Sequence, residues 1–216
     1  MKPHSLTLFH DVFGDGCYIV AYRLKQIKAY YGSKILLQYQ LCSLAPTQDD
    51  FKQMLNVLNT KKWEFMGLPV SADRELADVT LDPDFIVPEN HAHRYLLPVF
   101  RGLKAAELQG GIEAHGRLYD RLYKAYRHEL RPILEPETII ACASEIGLDK
   151  ANFQASFESH ASLVAVMEDK LSAQLMGIRS VPTVVINRRW LLSGVASTAI
   201  YKKIIDDLLA GHFPNR

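Results

Sequence analysis

Two short stretches decide how this chain is read: Phe13-Gly14-Asp15-Gly16-Cys17 and, far along the chain, Ser180-Val181-Pro182-Thr183. The first separates a strand pattern from a helix pattern. The second separates a helix pattern from another strand. Working outward from the first, Leu6-Thr7-Leu8-Phe9 is short, apolar and preceded by polar residues, as a strand is. Asp11 to Gly16 carries two glycines and two aspartates and reads as a loop. From Cys17, apolar residues recur at Ile19, Val20, Leu24, Ile27 and Tyr31, which is helix spacing, and Gly32 supplies a stop. Ile35 to Leu41 is a second strand ending near Pro46. Strand, helix, strand at this spacing is a β-α-β unit with parallel strands and a right-handed crossover.

Outward from the second stretch, Thr183-Val184-Val185-Ile186-Asn187 is a strand. Asn187-Arg188 suits a tight turn into Trp190-Leu191-Leu192-Ser193, making a hairpin. Ser197 can cap a last helix whose apolar face includes Ile200, Ile204, Ile205, Leu208 and Leu209. Between the two ends, Thr47-x-x-Asp50 is a helix-start signal, and 66–90, with three prolines, should be irregular. Helical patterns follow at about 91–108, 112–127, 135–146, 149–158 and 160–176, with Pro136 in a first turn and Gly147 at a helix end.

Composition narrows the function classes. The chain has 216 residues, 48% hydrophobic and 23% charged, enough for a sizeable core. A net charge of +1 favours neither nucleic acid nor an anionic membrane. No apolar run approaches the roughly 20 residues that span a bilayer. The N-terminal segment is too short and too polar for a signal peptide, so the expected compartment is cytoplasmic, where thiols stay reduced. Cys17, Cys42 and Cys142 have no zinc-like spacing, and His91-x-His93 does not share a helix face, so no metal and no cofactor is expected.

On this layout the motifs resemble the DsbA-like branch of the thioredoxin superfamily. The likeness is nearest to the cytoplasmic FrnE-type proteins and to the adaptors that present an Spx-type regulator to the ClpXP protease. It rests on Asp11 with Gly14-Asp15-Gly16-Cys17-Tyr18-Ile19, on Leu44-Ala45-Pro46, and on Leu103 to Gly110 (L-K-A-A-E-L-Q-G). It rests also on Met176-Gly177-Ile178-Arg179-Ser180-Val181-Pro182-Thr183-Val184-Val185-Ile186, with Ser193-Gly194 following. The resemblance implies an α/β thioredoxin fold, a four-stranded sheet in the order β-α-β … α-β-β-α with a large helical insertion. Residues 1–46 and 166–216 would form the thioredoxin-like domain and 47–165 the inserted one. It also implies a cis Val181–Pro182 bond facing a C-x-x-C turn, with Val181 backbone groups open to an extended peptide.

Here that turn reads G-D-G-C. Gly14 stands where the attacking cysteine belongs, and Cys17 holds the resolving position. A helix N-terminus stabilises an attacking thiolate, and the second thiol resolves the mixed disulfide. Cys17 is therefore the candidate catalytic residue, as a one-cysteine site forming mixed disulfides or a sulfenic acid, or else simply a small buried hydrophobe. Asp15 should cap the helix and, as a carboxylate, oppose thiol activation. Gly14, Asp15, Gly16, Val181, Pro182 and His10 are the candidate binding residues. His10 is expected either to polarise a thiol or to be a partly exposed polar residue at a strand end. Cys42, following strand two, and Cys142 are expected to be packing residues; so are Tyr119, Tyr123 and Tyr126, while Arg121, Arg127, His128 and Arg131 should form a solvated face.

Three functions fit. The first is a thiol-disulfide oxidoreductase or isomerase with a degenerate single-cysteine site, acting on a protein or peptide thiol. The second is a non-catalytic peptide-binding adaptor for a client or regulator protein. The third is a glutathione-dependent small-molecule enzyme of the kappa or isomerase branch, whose members place a hydroxyl where Gly14 offers none.

Overall fold

The computed structural model describes residues 2–42 and 96–212. The expectations for Leu44-Ala45-Pro46, the Thr47–Asp50 cap, the irregular 66–90 and the His91/His93 pair lie outside those residues. The described elements are β1 (His4–His10), α1 (Asp15–Tyr31), a 3-10 turn (Gly32–Lys34), β2 (Ile35–Leu41), α2 (Leu97–Arg127), α3 (Pro136–Glu145) and α4 (Lys150–Glu158). They continue with α5 (His160–Leu175), β3 (Thr183–Ile186), β4 (Trp190–Ser193) and α6 (Thr198–Leu209).

Local chemistry explains the boundaries. Asn187 and Arg188 both take positive φ, 51° and 58°, as the central pair of a tight turn closed by the Arg189 amide on the Ile186 carbonyl, within a three-residue connection from Ile186 to Trp190. The Ser197 hydroxyl accepts the Ile200 amide and starts α6. The two helical runs expected before and after Gly110-Gly111 form one element with a break, where Gly111 sits at φ 69°, ψ −168°. No side chain takes that conformation cheaply, so the helix can turn there only on glycine.

The sheet order is β2-β1-β3-β4. β1 and β2 are parallel, in register from His4↔Ile35 to His10↔Leu41. β3 runs antiparallel to β1, with Phe9 opposite Thr183, and β4 antiparallel to β3. This is the thioredoxin-type arrangement, with a large helical segment between β2 and β3.

Strand residues alternate between two apolar clusters, as a pleat demands. Leu6, Leu8, Val184 and Ile186 join Val20, Leu24 and Ile27 of α1, Ile205 of α6 and the apolar faces of α2 to α4. Phe9 and Val185, on the other face, join Cys17, Val181 and Ala173 of α5. Each such buried aliphatic or aromatic side chain contributes roughly 1.5–3 kcal/mol. Because β1 and β3 are antiparallel, the end of β1 and the start of β3 lie side by side. The loop after His10 and the segment before Thr183 are thereby brought together, which no local propensity could do.

Candidate functional site

The two stretches do meet. Val181 and Cys17 belong to one buried cluster, and the Val181–Pro182 bond is cis. Gly14 is the N-cap of α1, extended at φ −81°, ψ 110°, and its carbonyl accepts the Cys17 amide at 2.9 Å. A Cβ added at Gly14 would lie 3.2 Å from Cys17 Sγ. The spatial relation of a two-cysteine turn is present without its first thiol.

Cys17 is 1% exposed. Its sulfur accepts the Asp11 amide at 3.5 Å. Burial drives the thiol pKa far above its ordinary value; the Asp11 amide pulls it back, while Asp11, Cys42 and Asp15 add to the rise. The thiol form therefore dominates at neutral pH, the reverse of an activated nucleophile. The His10–Asp11 peptide also accepts, through its carbonyl, the Cys42 amide at 2.9 Å. The carbonyl and N–H of a trans peptide point opposite ways. Cys17 sulfur thus lies on the β3 side of β1, and the Cys42 backbone on the β2 side. All three cysteines are unbridged, Cys42 half-buried and Cys142 buried in α3.

Asp15, expected to cap the helix, is drawn into the interior instead. It is buried, accepts the Tyr123 hydroxyl at 2.7 Å and pairs with Arg127 at 3.1 Å. The N-cap position is Gly14, which has no side chain to cap with, and Asp15 is the first helical residue. Burial raises the Asp15 carboxyl above its usual range, while Arg127 and Tyr123 hold it down. Arg127 is in turn not on a solvated face: α2 crosses the start of α1 and turns Arg127 inward onto Asp15. The tyrosine stripe is core, as its spacing implies, and it also lines the loop. Tyr119 donates to the Asp11 carbonyl at 3.2 Å, Tyr123 stacks on Tyr18 at 3.7 Å, and Tyr126 meets Phe13 at 4.8 Å.

His10 is also corrected. It is fully buried rather than partly exposed, because α2 packs over the end of β1. Its Nε2 lies 3.1 Å from His115 Nε2, and His115 Nδ1 lies 3.0 Å from Glu107. Glu107 pairs with Lys104 at 3.0 Å, Lys104 with Asp169 at 2.8 Å, and Asp169 accepts the Leu41 amide at 2.8 Å. This chain of polar side chains ties β1 and β2 to α2 and α5. His115, Lys104, Glu107, Asp169 and Arg127 are the site residues that sequence reasoning missed. Lys104 and Glu107 sit in the quoted L-K-A-A-E-L-Q-G run, but nothing local marks any of them as partners of β1, β2 or α1. No group of three His, Cys, Asp or Glu fit to hold a metal ion occurs among the described residues, nor a helix long and apolar enough to cross a membrane.

A thioredoxin family model matches residues 7–203. The chain is 24% identical over 215 residues to the ClpXP adapter protein SpxH of Shouchella clausii, covering 96% of this chain and 68% of that one. Among solved structures it is similar to a probable DsbA oxidoreductase of Streptomyces coelicolor, with a TM-score of 0.72 at 18% identity over 99% and 93% of the two chains. It is also similar to the cytosolic disulfide reductase DsbM of Pseudomonas aeruginosa, with a TM-score of 0.59 at 18% identity over 95% of each chain. A second structure of DsbM contains GSH.

Proposed function

The chain belongs to the thioredoxin family, and from that premise we propose that it is a protein-binding member of the DsbA-like branch, acting as an adaptor rather than as a dithiol enzyme. One observation carries this reading: Cys17 is buried and held by the Asp11 amide, with no thiol at position 14, while Val181-Pro182 still adjoins the turn. An oxidoreductase needs an accessible thiolate. A peptide-binding face needs only the two loops side by side. The adapter relative supports the same direction.

The partner in this proposal is a regulator protein of the Spx type, presented in the cytoplasm to ClpXP. Half-buried Gly14 and the backbone of Val181-Pro182 form the binding face, with Gly16 and the buried Asp15 and His10 beneath it. The thioredoxin-like unit is 1–46 with 166–216, and 47–165 is inserted; the second boundary falls inside α5, so the two units share that helix. Binding of a purified Spx-type regulator, measured by calorimetry, tests the proposal. It should survive Cys17→Ala and be lost with Val181→Asp. Loss of binding with Cys17→Ala, or no binding to the regulator or to the protease, refutes it.

A second reading, residual thiol chemistry at Cys17, is suggested by the DsbA oxidoreductase and disulfide reductase of similar fold. It predicts a mixed disulfide of Cys17 with glutathione or a protein thiol, detectable by mass spectrometry.

A further inference from the structure

We propose that the His10–His115 pair is a proton-operated latch: while both imidazoles are neutral it fastens the start of the site loop to α2, and protonation in mild acid releases that loop and uncovers Cys17. The pair joins two parts of the chain that lie far apart in sequence. His10 ends β1 and leads straight into Asp11, whose amide holds Cys17 sulfur. His115 stands on α2, one turn before Tyr119, which holds the Asp11 carbonyl.

The hydrogen bonding accommodates an added proton poorly. With His115 donating from Nδ1 to Glu107, its Nε2 must accept, so His10 donates from Nε2. His10 Nδ1 is then a bare acceptor, buried and without a hydrogen bond among the described residues. Protonating His115 at Nε2 sets two N–H groups against each other across 3.1 Å, unless His10 shifts its own proton to buried Nδ1, where only the Asp11 backbone favours it. Charges around the pair do not offset this. Lys25 of α1 and Lys104 of α2 both oppose a cation at either ring and Tyr39 of β2 and Tyr119 are neutral; only Glu107, at His115, and the Asp11 backbone, at His10, favour one. Burial is the largest contribution and lowers both imidazoles below their ordinary range.

The sign follows from linkage. A histidine lowered in the closed state binds more protons once released, so opening is favoured as pH falls below about 6.5. Between pH 7 and 5.5, release of one imidazole to its ordinary pKa raises the opening equilibrium by up to about 8-fold, and of both by up to about 70-fold, the limits being reached when the closed state holds them fully neutral. Asp169 acts the other way: its carboxyl is pushed up to about 6, so closed protein takes up a proton there. If opening also releases Asp169, that opposes it by about fourfold and leaves a net rise of up to about twentyfold.

Cys17 labelling by 4,4′-dithiodipyridine, which reacts in mild acid, reads the latch directly. The native chain is labelled from pH 7 to 5.5, each rate is divided by that of glutathione at the same pH, and the adduct is assigned by peptide mass. Cys142, buried in α3, reports global unfolding in the same sample. The expected result is a normalised Cys17 rate rising severalfold, up to about twentyfold, with Cys142 unchanged, and a smaller rise in His115→Gln and in His10→Gln. Circular dichroism at pH 7 establishes which of the two variants is folded. A flat Cys17 profile in the native chain, a parallel rise at Cys142, or an undiminished rise in a folded variant overturns the proposal. Labelling requires no partner, so its outcome is independent of the adaptor reading.

Discussion

Replacing Gly14 by cysteine should restore a working dithiol without moving the backbone. A Cβ at position 14 falls 3.7 Å from Cys17 Cβ, inside the roughly 3.5–4.5 Å that disulfides hold. Its 3.2 Å approach to Cys17 Sγ is crowded when the two thiols are unbonded and ordinary once they are joined. Reduction therefore carries a steric cost that oxidation relieves. The closed loop has four residues, so the chain-entropy contribution is about 1.9 kcal/mol, or roughly 4–8 °C in Tm for a chain of this size. The new thiol would stand at the N-terminus of α1, where the helix dipole favours a thiolate. Asp15 is drawn away from it and is balanced by Arg127. Gly14→Cys should lose 2 Da on incubation with oxidised glutathione, give a cross-linked 14–17 peptide, and melt several degrees higher than its reduced form. Gly14→Ser, with the same Cβ and no bond to make, should show none of this. Two reactive thiols persisting after oxidation of Gly14→Cys would show that the G-D-G-C turn does not hold two-cysteine geometry.

Other outcomes follow from the same packing. Arg127→Met leaves Asp15 buried and uncompensated and should cost about 3–5 kcal/mol in urea unfolding, most of it recovered by adding Asp15→Leu. Asp169, raised to about 6 in the folded chain against about 3.9 unfolded, stabilises the fold most when protonated. Relative to Asp169→Asn, the native chain should therefore gain about 2 kcal/mol as pH falls from 6 to 4, and the difference should be flat above about pH 7; denaturant titrations across that range measure it. Gly102→Ala would put a methyl 2.5 Å from Ile139 Cγ2 where α2 meets α3 and should cost about 1–3 kcal/mol. A smaller loss in the double variant with Ile139→Ala, in thermal melts, would assign the cost to that contact.

Much of this molecule is legible locally. The strand at Leu6–Phe9, the helix from the glycine-rich turn to Gly32 and the Asn187-Arg188 hairpin each follow from periodicity and turn chemistry confined to a few residues. Packing partners of polar residues are another matter. Asp15 at a helix start reads as a cap, and Arg127 in a basic run as a solvated cation. Each reading is reasonable for an isolated helix, and each fails because α2 lies across the start of α1. His10 at a strand end reads as exposed for the same reason and is buried for the same reason. The tyrosines at 119, 123 and 126 are core by spacing, yet nothing in that spacing says that all three close over the site loop.

The sequence by itself determined the elements and their order, and showed that position 14 carries no thiol. Those properties depend on residue types and on periods of two and 3.6, which neighbours along the chain carry. Only the tertiary structure decided that Cys17 is shielded, that Asp15 is paired, and that His10 meets His115 across a distance of 105 positions. The free energy of a buried polar group is set by what surrounds it in space, and those surroundings come from three separate helices and the antiparallel entry of β3 beside β1.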